Sequence, residues 1–319
     1  MQAFLDLLAN PVFAGFLAAS VRLSIPIMLA ALGGMFAERS GVLNIGLEGM
    51  MLLGCFVGFI VTFFSGQIWL GVLAALVAGA ACGLLLAFYA VTLRANQVVV
   101  GIAINLVMVG VTGFFFRLAF GSGTSGPRIT GFPALDFGAL SAIPIVGPLL
   151  FQHDALTYLA LLLVIAAWLV MYRSTYGLSI KAVGEHPEAA ETLGLSVPLV
   201  RYLCATASGA LAGLGGAFLS LSATGLFLEN MTAGRGYIAL AILILGRRYP
   251  FGILGASLLF GAADALQLRA QLLPSGIPLQ FLLMLPYVLT IIVLAASAQR
   301  AGAPAALGMP YRGSKSDDA

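Results

Sequence analysis

The chain has 319 residues, 61% of them hydrophobic and only 8% charged, with a mean hydropathy of +1.06. That excludes a water-soluble domain, and long apolar runs without residue-by-residue alternation exclude a β-barrel, leaving an all-α, polytopic integral membrane protein. The formal net charge of +3 separates few function classes by its sign, so its placement along the chain carries the information.

The opening MQAFLDLLAN has no basic region ahead of an apolar stretch, so no cleaved signal peptide is expected. A first span is read at 12–35, with Arg22 and Pro26 inside it. Either this span begins near Leu23 after an interfacial helix, or Arg22 faces protein or water. Further spans follow at 42–64, 68–93, 98–120 and 155–172, with a Gly/Pro/Ser-rich outer loop at 121–154. The run from Tyr176 to Leu195 is polar, and its second half reads as a short helix. Pro187 suits a first turn, Glu188 and Glu191 suit the positive end of the dipole, and Gly194 suits a stop.

A sixth span is read at 199–221. The segment 226–246 contains Glu229, Asn230 and Arg235, and is read as one interrupted span or as a re-entrant half-helix plus a short helix. Spans at 251–268 and 278–297 complete about nine, within a range of eight to ten. Residues 1–298 then form a single transmembrane domain, with the polar loop at 173–198, and 299–319 form a tail expected to be disordered.

With the polar loop on the cytoplasmic side, alternation places Arg39, Arg94, Arg173, Lys181, Arg201, Arg247, Arg248, Arg300, Arg312 and Lys315 there. That is ten of the fifteen basic residues, which predicts an outside N-terminus and a cytoplasmic C-terminus. Cys55, Cys82 and Cys204 lie in apolar runs without metal or redox spacing and read as small core residues. The small-residue runs at 79–83 and 209–216 suit close helix packing.

Several motifs resemble a known family. Glu188-Ala189-Ala190, with Gly194 after three residues, resembles the EAA-x3-G loop of ABC importer permeases, although the downstream I-x-L-P element is absent. RSGVLNIGLEGMM at 39–51 and GRGYIALAILILGRRYPFG at 234–252 resemble segments of the branched-chain amino acid, sugar and nucleoside permeases. The nearest resemblance is to the nucleoside and simple-sugar type that works with a basic-membrane-protein-like lipoprotein.

The resemblance implies a permease subunit of an ABC importer, moving a nucleoside or ribose-like sugar by alternating access. It implies an ABC ATPase subunit, a second homologous permease chain (a heterodimer rather than a homodimer) and a substrate-binding lipoprotein as partners. It also implies the cell (inner) membrane of a bacterium as location. ATP-driven coupling would act through Glu185, His186, Pro187, Glu188, Ala189, Ala190, Glu191 and Gly194. The chain itself would be no enzyme and bind no cofactor, the ATP being used by the partner.

Polar residues within apolar runs are the other candidates. Asn44 and Glu48 are four apart and are expected to share a helix face. With Asn105 and Asp264 they either line the translocation path or hydrogen-bond between helices. Glu229, Arg235 and Gly236, read as lying near the outer face, are expected at a gate or outer rim, or in a plain turn. No Walker A motif, HExxH or paired Cys ligands occur in the sequence. His153 and His186 read as solvated loop histidines. The alternative function is an ion- or proton-coupled secondary transporter, with Glu48, Asp264 and Arg22 as coupling residues. A membrane enzyme acting on lipid is a remoter rival, because no acidic, basic or histidine cluster is seen at a membrane face.

Overall fold

The computed structural model describes residues 11–121, 127–135, 138 and 147–271, and within the C-terminal part 281, 284, 288–292, 295 and 302–311. Ten helices organise the described residues. They are α1 (Pro11–Arg39), α2 (Leu47–Ser65), α3 (Ile68–Ala87), α4 (Gln97–Phe120), α5 (Ala155–Arg173), α6 (Thr175–Glu185), α7 (Pro187–Thr192), α8 (Val197–Ala217), α9 (Arg235–Leu245) and α10 (Pro250–Ala270). Helices α3 and α8 run on into π-type turns at Phe88–Thr92 and Phe218–Thr224. Seven helices, α1 to α5 with α8 and α10, are long and apolar enough to cross a membrane. The last expected span, 278–297, lies mostly outside the described residues.

Local chemistry sets the helix starts. The Asn96 side chain accepts from the Val98 and Val99 amides, Asp154 accepts from Thr157, and Ser174 accepts from Gly177. Proline occupies the first turn of α7, α8 and α10, where a missing N–H costs nothing.

Helix α8 lies at the centre, packed against α1, α2 and α3. Against α3 the contact is nearly backbone to backbone. A Cβ added at Gly79 would stand 2.3 Å from the Gly209 carbonyl oxygen, and one at Gly213 would stand 2.4 Å from that of Ala75. The small-residue runs are therefore helix-packing surfaces.

The bundle has a near end, carrying α6, α7 and the end of α1, and a far end, carrying the turn between α2 and α3 and the start of α5. Two segments depart from the expected spans. Residues 40–46 are not helical, so α2 begins at Leu47 rather than near Val42. The segment from Gly225 to Gly234 is also unwound, and α9 is only 11 residues long.

Arg22 lies within an unbroken α1, with no break at Leu23 to set off a separate interfacial helix, and its side chain is exposed. It borders a polar cavity of about 120 Å³ with Gln152, His153, Asp154 and Ser222. His153 is not a solvated histidine. It is 6% exposed, its Nε2 lies 3.0 Å from the Leu149 carbonyl, and burial pushes its pKa down.

Candidate functional site

The first break is held by side chains inside the bundle. The Leu43 amide donates to Gln97 Oε1 (2.6 Å), and the Gly46 amide donates to Asn44 Oδ1 (3.0 Å). Asn105 Nδ2 donates to the Ile45 carbonyl (3.0 Å), while its Oδ1 accepts from the Gly49 amide (2.8 Å). Asn44 Nδ2 reaches Ser208 Oγ on α8 (2.9 Å). An unwound backbone survives in a water-poor interior only with partners of this kind. Asn105 lies about 12 Å into α4 and Ser208 about 16 Å into α8 at the usual rise, so the break reaches well inside the bundle.

The second break meets the first at Glu48. Its carboxylate is 6% exposed and accepts from the Gly234 amide (Oε1, 2.8 Å) and the Gly236 amide (Oε2, 2.6 Å). These amides open α9, so the anion sits on the positive end of a helix dipole. Gly234 turns the chain there with φ of +85°, which a glycine adopts without strain. A Cβ at Gly236 would stand 2.4 Å from the Glu48 nitrogen, so only glycine lets the two helix starts touch.

The other end of α9 is held by the opposite charge. Arg39 Nη2 donates to the carbonyls of Arg248 (3.2 Å) and Arg247 (3.4 Å), just past the last turn. Arg248 Nε in turn pairs with Glu38 Oε2 at 2.5 Å, both side chains being 5% exposed. Glu38 and Arg39 end α1, and Glu48 begins α2. The α1–α2 corner therefore grips α9 at both ends like a caliper, and the segments 39–51 and 234–252 form one structural unit.

Toward the far end the second break is anchored by Phe227, buried among Phe56, Phe59 and Phe116 with ring centroids 5.1–6.3 Å away. Glu229 takes a two-pronged salt bridge from Arg117, with Nε to Oε1 and Nη2 to Oε2 both at 2.7 Å. The pair ties the second break to α4.

At the near end α6 lies against the last turn of α1, where a Cβ on Gly184 would stand 2.2 Å from the Arg39 carbonyl oxygen. Helix α7 follows as its sequence dictates, with Pro187 in the first turn, Glu188 beside it and Gly194 closing the loop at φ of +84°. Ala190 is 2% exposed against Val183 and Val197 and fixes α7 to the bundle. Glu185, His186, Glu188 and Ala189 face outward, and Leu193 is 82% exposed. Lys181 lies 3.8 Å from the Tyr172 ring centroid, and burial, with Arg39 nearby, pulls its amine pKa down.

The tail differs from expectation at residues 302–311, which lie across this loop as a strap. Ala306 N donates to the Gly184 carbonyl and Gly308 N to that of Gly41, both at 3.0 Å. Ala305 N donates to Glu185 Oε2 (3.1 Å), Arg201 Nη1 to the Met309 carbonyl (2.9 Å) and Arg248 Nη1 to that of Gly302 (3.2 Å). The Tyr311 hydroxyl donates to Glu191, and its pKa is pushed up to about 12 by burial and by that carboxylate. A hollow of about 550 Å³ opens between strap and α7, lined in part by His186, Glu188, Ala189 and Tyr311. Composition hid this order, because apart from Tyr311 the strap contributes backbone groups to these bonds, which any sequence supplies.

The structure brings Asn44, Glu48, Asn105 and Gly236 together at the junction of the two breaks. Asn44 and Glu48 do not share a helix face, since Asn44 precedes α2 and caps the break. Arg235 and Gly236 stand at a buried helix start rather than near the outer face, because Glu48 draws that backbone inward. Glu229 alone of that group lies toward the far end. Asp264 stands apart, half-buried on α10, with Arg235 as the basic charge acting on it. Arg235 Nη1 makes long bonds to the Met231 (3.4 Å) and Thr232 (3.5 Å) carbonyls, and its Nε has no partner among the described residues.

Sequence reasoning missed Gln97, Ser208, Tyr237 and the Glu38–Arg248 pair. Glu38 and Arg248 carried a signal, being opposite charges that both border apolar runs. Tyr237 lies inside the quoted GRGY segment, and its hydroxyl accepts from Asn105 Nδ2 at 3.0 Å.

Residues 16–294 match the family model for the permease component of branched-chain amino acid transport systems. The chain is similar to the guanosine ABC transporter permease protein NupQ of Bacillus subtilis, at 41% identity over 90% of this chain and 92% of the relative. It is 37% identical to the nucleoside ABC transporter permease protein NupC of Lactococcus lactis, over 92% and 95% of the two chains. A Haloferax volcanii protein provisionally named a glucose ABC transporter permease, TsgC13, is 43% identical over 81% of this chain and 78% of its own length. These matches overturn the ion- or proton-coupled alternative, and with it the reading of Glu48, Asp264 and Arg22 as ion-coupling residues. ATP hydrolysis and any cofactor are left to a separate subunit. The chain belongs to the branched-chain amino acid-type permease family and is a multi-pass membrane permease component of an ABC transporter.

Proposed function

We propose that this permease imports a nucleoside or a related ribose-like sugar by alternating access, driven by a separate ATPase subunit. The observation that carries the reading is the junction at Glu48, an unwound polar site inside an apolar bundle, joined through α9 and Arg39 to an exposed short helix at the near end. An ATPase grips α7 at Glu185 to Gly194, through the exposed Glu188, Ala189 and Leu193. Motion of α7 passes through Gly184 to the end of α1, then along α9 to the junction. Asn44, Glu48 and Asn105 shape the path at that level, Asp264 borders it from α10, and Arg235 and Gly236 form its gate with Glu229 at the far rim.

A second homologous permease completes the path. Arg117 on α4 pairs with Glu229 of the second break, both exposed beside Val109, Gly110, Phe114 and Leu118, where lipid solvates charge poorly. A heterodimer fits the resemblance better than a homodimer. A substrate-binding lipoprotein delivers at the far end, outside a bacterial inner membrane, with the N-terminus outside and the C-terminal strap in the cytoplasm.

Co-purification in mild detergent tests the assembly, and uptake of labelled nucleosides by the recovered complex tests the substrate. The expected result is a stoichiometric ATPase and nucleoside uptake that stops without ATP. A complex that moves sugars and no nucleoside overturns the nucleoside assignment. Retention of the ATPase by an Ala190→Pro variant overturns the docking site.

A further inference from the structure

We propose that Tyr237 is a specificity-determining residue of this permease, whose ring carries the flat base of a nucleoside and whose hydroxyl proton reads a polar edge. The proposal rests on the nucleoside reading above and deepens it.

Tyr237 is the third residue of α9 and is 48% exposed, while its neighbours Gly236, Ile238 and Ala239 are buried. It therefore points out of the packed chain at the level of the junction. A phenol so far from either end is costly in lipid unless its hydroxyl is partnered. Here the partner is fixed. Asn105 Oδ1 must accept from the Gly49 amide, so the amide nitrogen is the atom that faces Tyr237. The phenol oxygen is then an acceptor from Asn105, and its own proton is free to donate away from the chain.

The mount is rigid as well. The amide just before Tyr237 is held by Glu48 at 2.6 Å, and that of Gly234 by the same carboxylate at 2.8 Å. Because Gly236 contacts Glu48 backbone to backbone, α9 cannot rotate without breaking both bonds. Glu48 is thus a positioning residue, with both oxygens used by the protein. An exposed aromatic face with one free donor, on a locked backbone, matches the chemistry that holds a nucleobase by stacking plus one hydrogen bond.

The test uses the full complex in proteoliposomes, with ATPase, second permease and lipoprotein, and compares initial uptake of tritiated guanosine and uridine at saturating concentration. Tyr237→Leu is expected to lower guanosine uptake about tenfold and uridine less, because the larger base loses more stacking. Tyr237→Phe keeps the ring and is expected to lower both by about threefold to tenfold, the loss of one hydrogen bond. Glu48→Asp shortens the mount and is expected to shift the guanosine-to-uridine ratio in the same direction as Tyr237→Leu.

An unchanged ratio in Tyr237→Leu overturns the proposal, whether both rates stay normal or both fall together as a merely structural role would dictate. Should Tyr237→Leu fail to assemble, Tyr237→Phe decides, and wild-type rates in that variant overturn the hydroxyl's part. A wild-type complex that takes up neither nucleoside removes the nucleoside reading itself, an outcome visible before any variant is compared.

Discussion

The two ends of α9 are held by opposite chemistry. At its start, a carboxylate accepts from backbone amides, and at its finish a guanidinium donates to backbone carbonyls. Each charge has the sign that the helix dipole favours there. The start is a single acid, Glu48, bonded only to backbone. The finish is a network in which Arg39 meets two carbonyls and Arg248 pairs with Glu38. The start thus rests on one side chain, which a single substitution removes, whereas the finish is shared among Arg39, Arg248 and Glu38.

Breaking the finish is expected to have the largest effect. Arg248→Ala leaves Glu38 buried without its partner and should cost about 3–5 kcal/mol. This is read as a lower unfolding temperature in detergent and a lower membrane yield. The double variant Glu38→Ala/Arg248→Ala should lose less than the two single changes summed. Strict additivity would show that the two side chains do not interact.

Disconnecting the finish from its drive comes next. Proline at Ala190 removes the amide that donates to His186 at 3.0 Å inside a six-residue helix, a cost of about 3 kcal/mol confined to α7. Membrane insertion should be normal while the ATPase is lost on purification. Charge reversal at Glu188 and Glu191 should likewise impair ATP-driven uptake, and normal uptake in that variant would sink the coupling assignment.

Loosening the start is expected to be milder for the fold and severe for transport. Glu48→Gln turns one acceptor into an NH2 group facing an amide, at about 1–3 kcal/mol. Gly236→Ala forces the helix starts apart at a similar cost. Both should reach the membrane near normal levels, keep ATPase activity, and lose most uptake. Normal uptake per ATP hydrolysed in either would show that transport does not depend on the geometry of the junction.

The strap gives the smallest expected effect. Tyr311→Phe removes one partly exposed hydrogen bond, worth under about 1 kcal/mol, and should lower uptake no more than about threefold. The hydroxyl pKa is raised, so the bond to Glu191 is complete below the ordinary tyrosine range and is lost as pH rises through about 12. Phenolate absorbance of the wild type minus Tyr311→Phe should show that late titration. An ordinary value would mean that the strap is not held there.

Much of this arrangement was legible in the sequence, and the failures share a cause. Long apolar runs gave the spans, and Pro187 with Gly194 gave α7, because those signals are local. The break at residues 40–46 was hidden because Val42, Leu43 and Ile45 are apolar and read as span. What unwinds them is supplied from a distance, by Gln97 and Asn105 on α4. Arg235 and Gly236 were placed near the outer face for the same reason, since the acid that draws their backbone inward lies 188 residues away from Gly236. The burial of Glu48 is legible from its place in an apolar run, whereas its partners are backbone amides, which no composition reveals.

The glycine contact between α3 and α8 has a mechanical consequence. Where Gly79 and Gly209 press backbone on backbone, no side chains stand between the helices to re-pack or slide. In the proposed cycle the pair is expected to move as one body, so that displacement falls to the other helices. Spin labels placed on α3 and α8 should keep a constant separation through ATP binding and release. That separation supplies a fixed ruler against which the travel of every other helix can be measured.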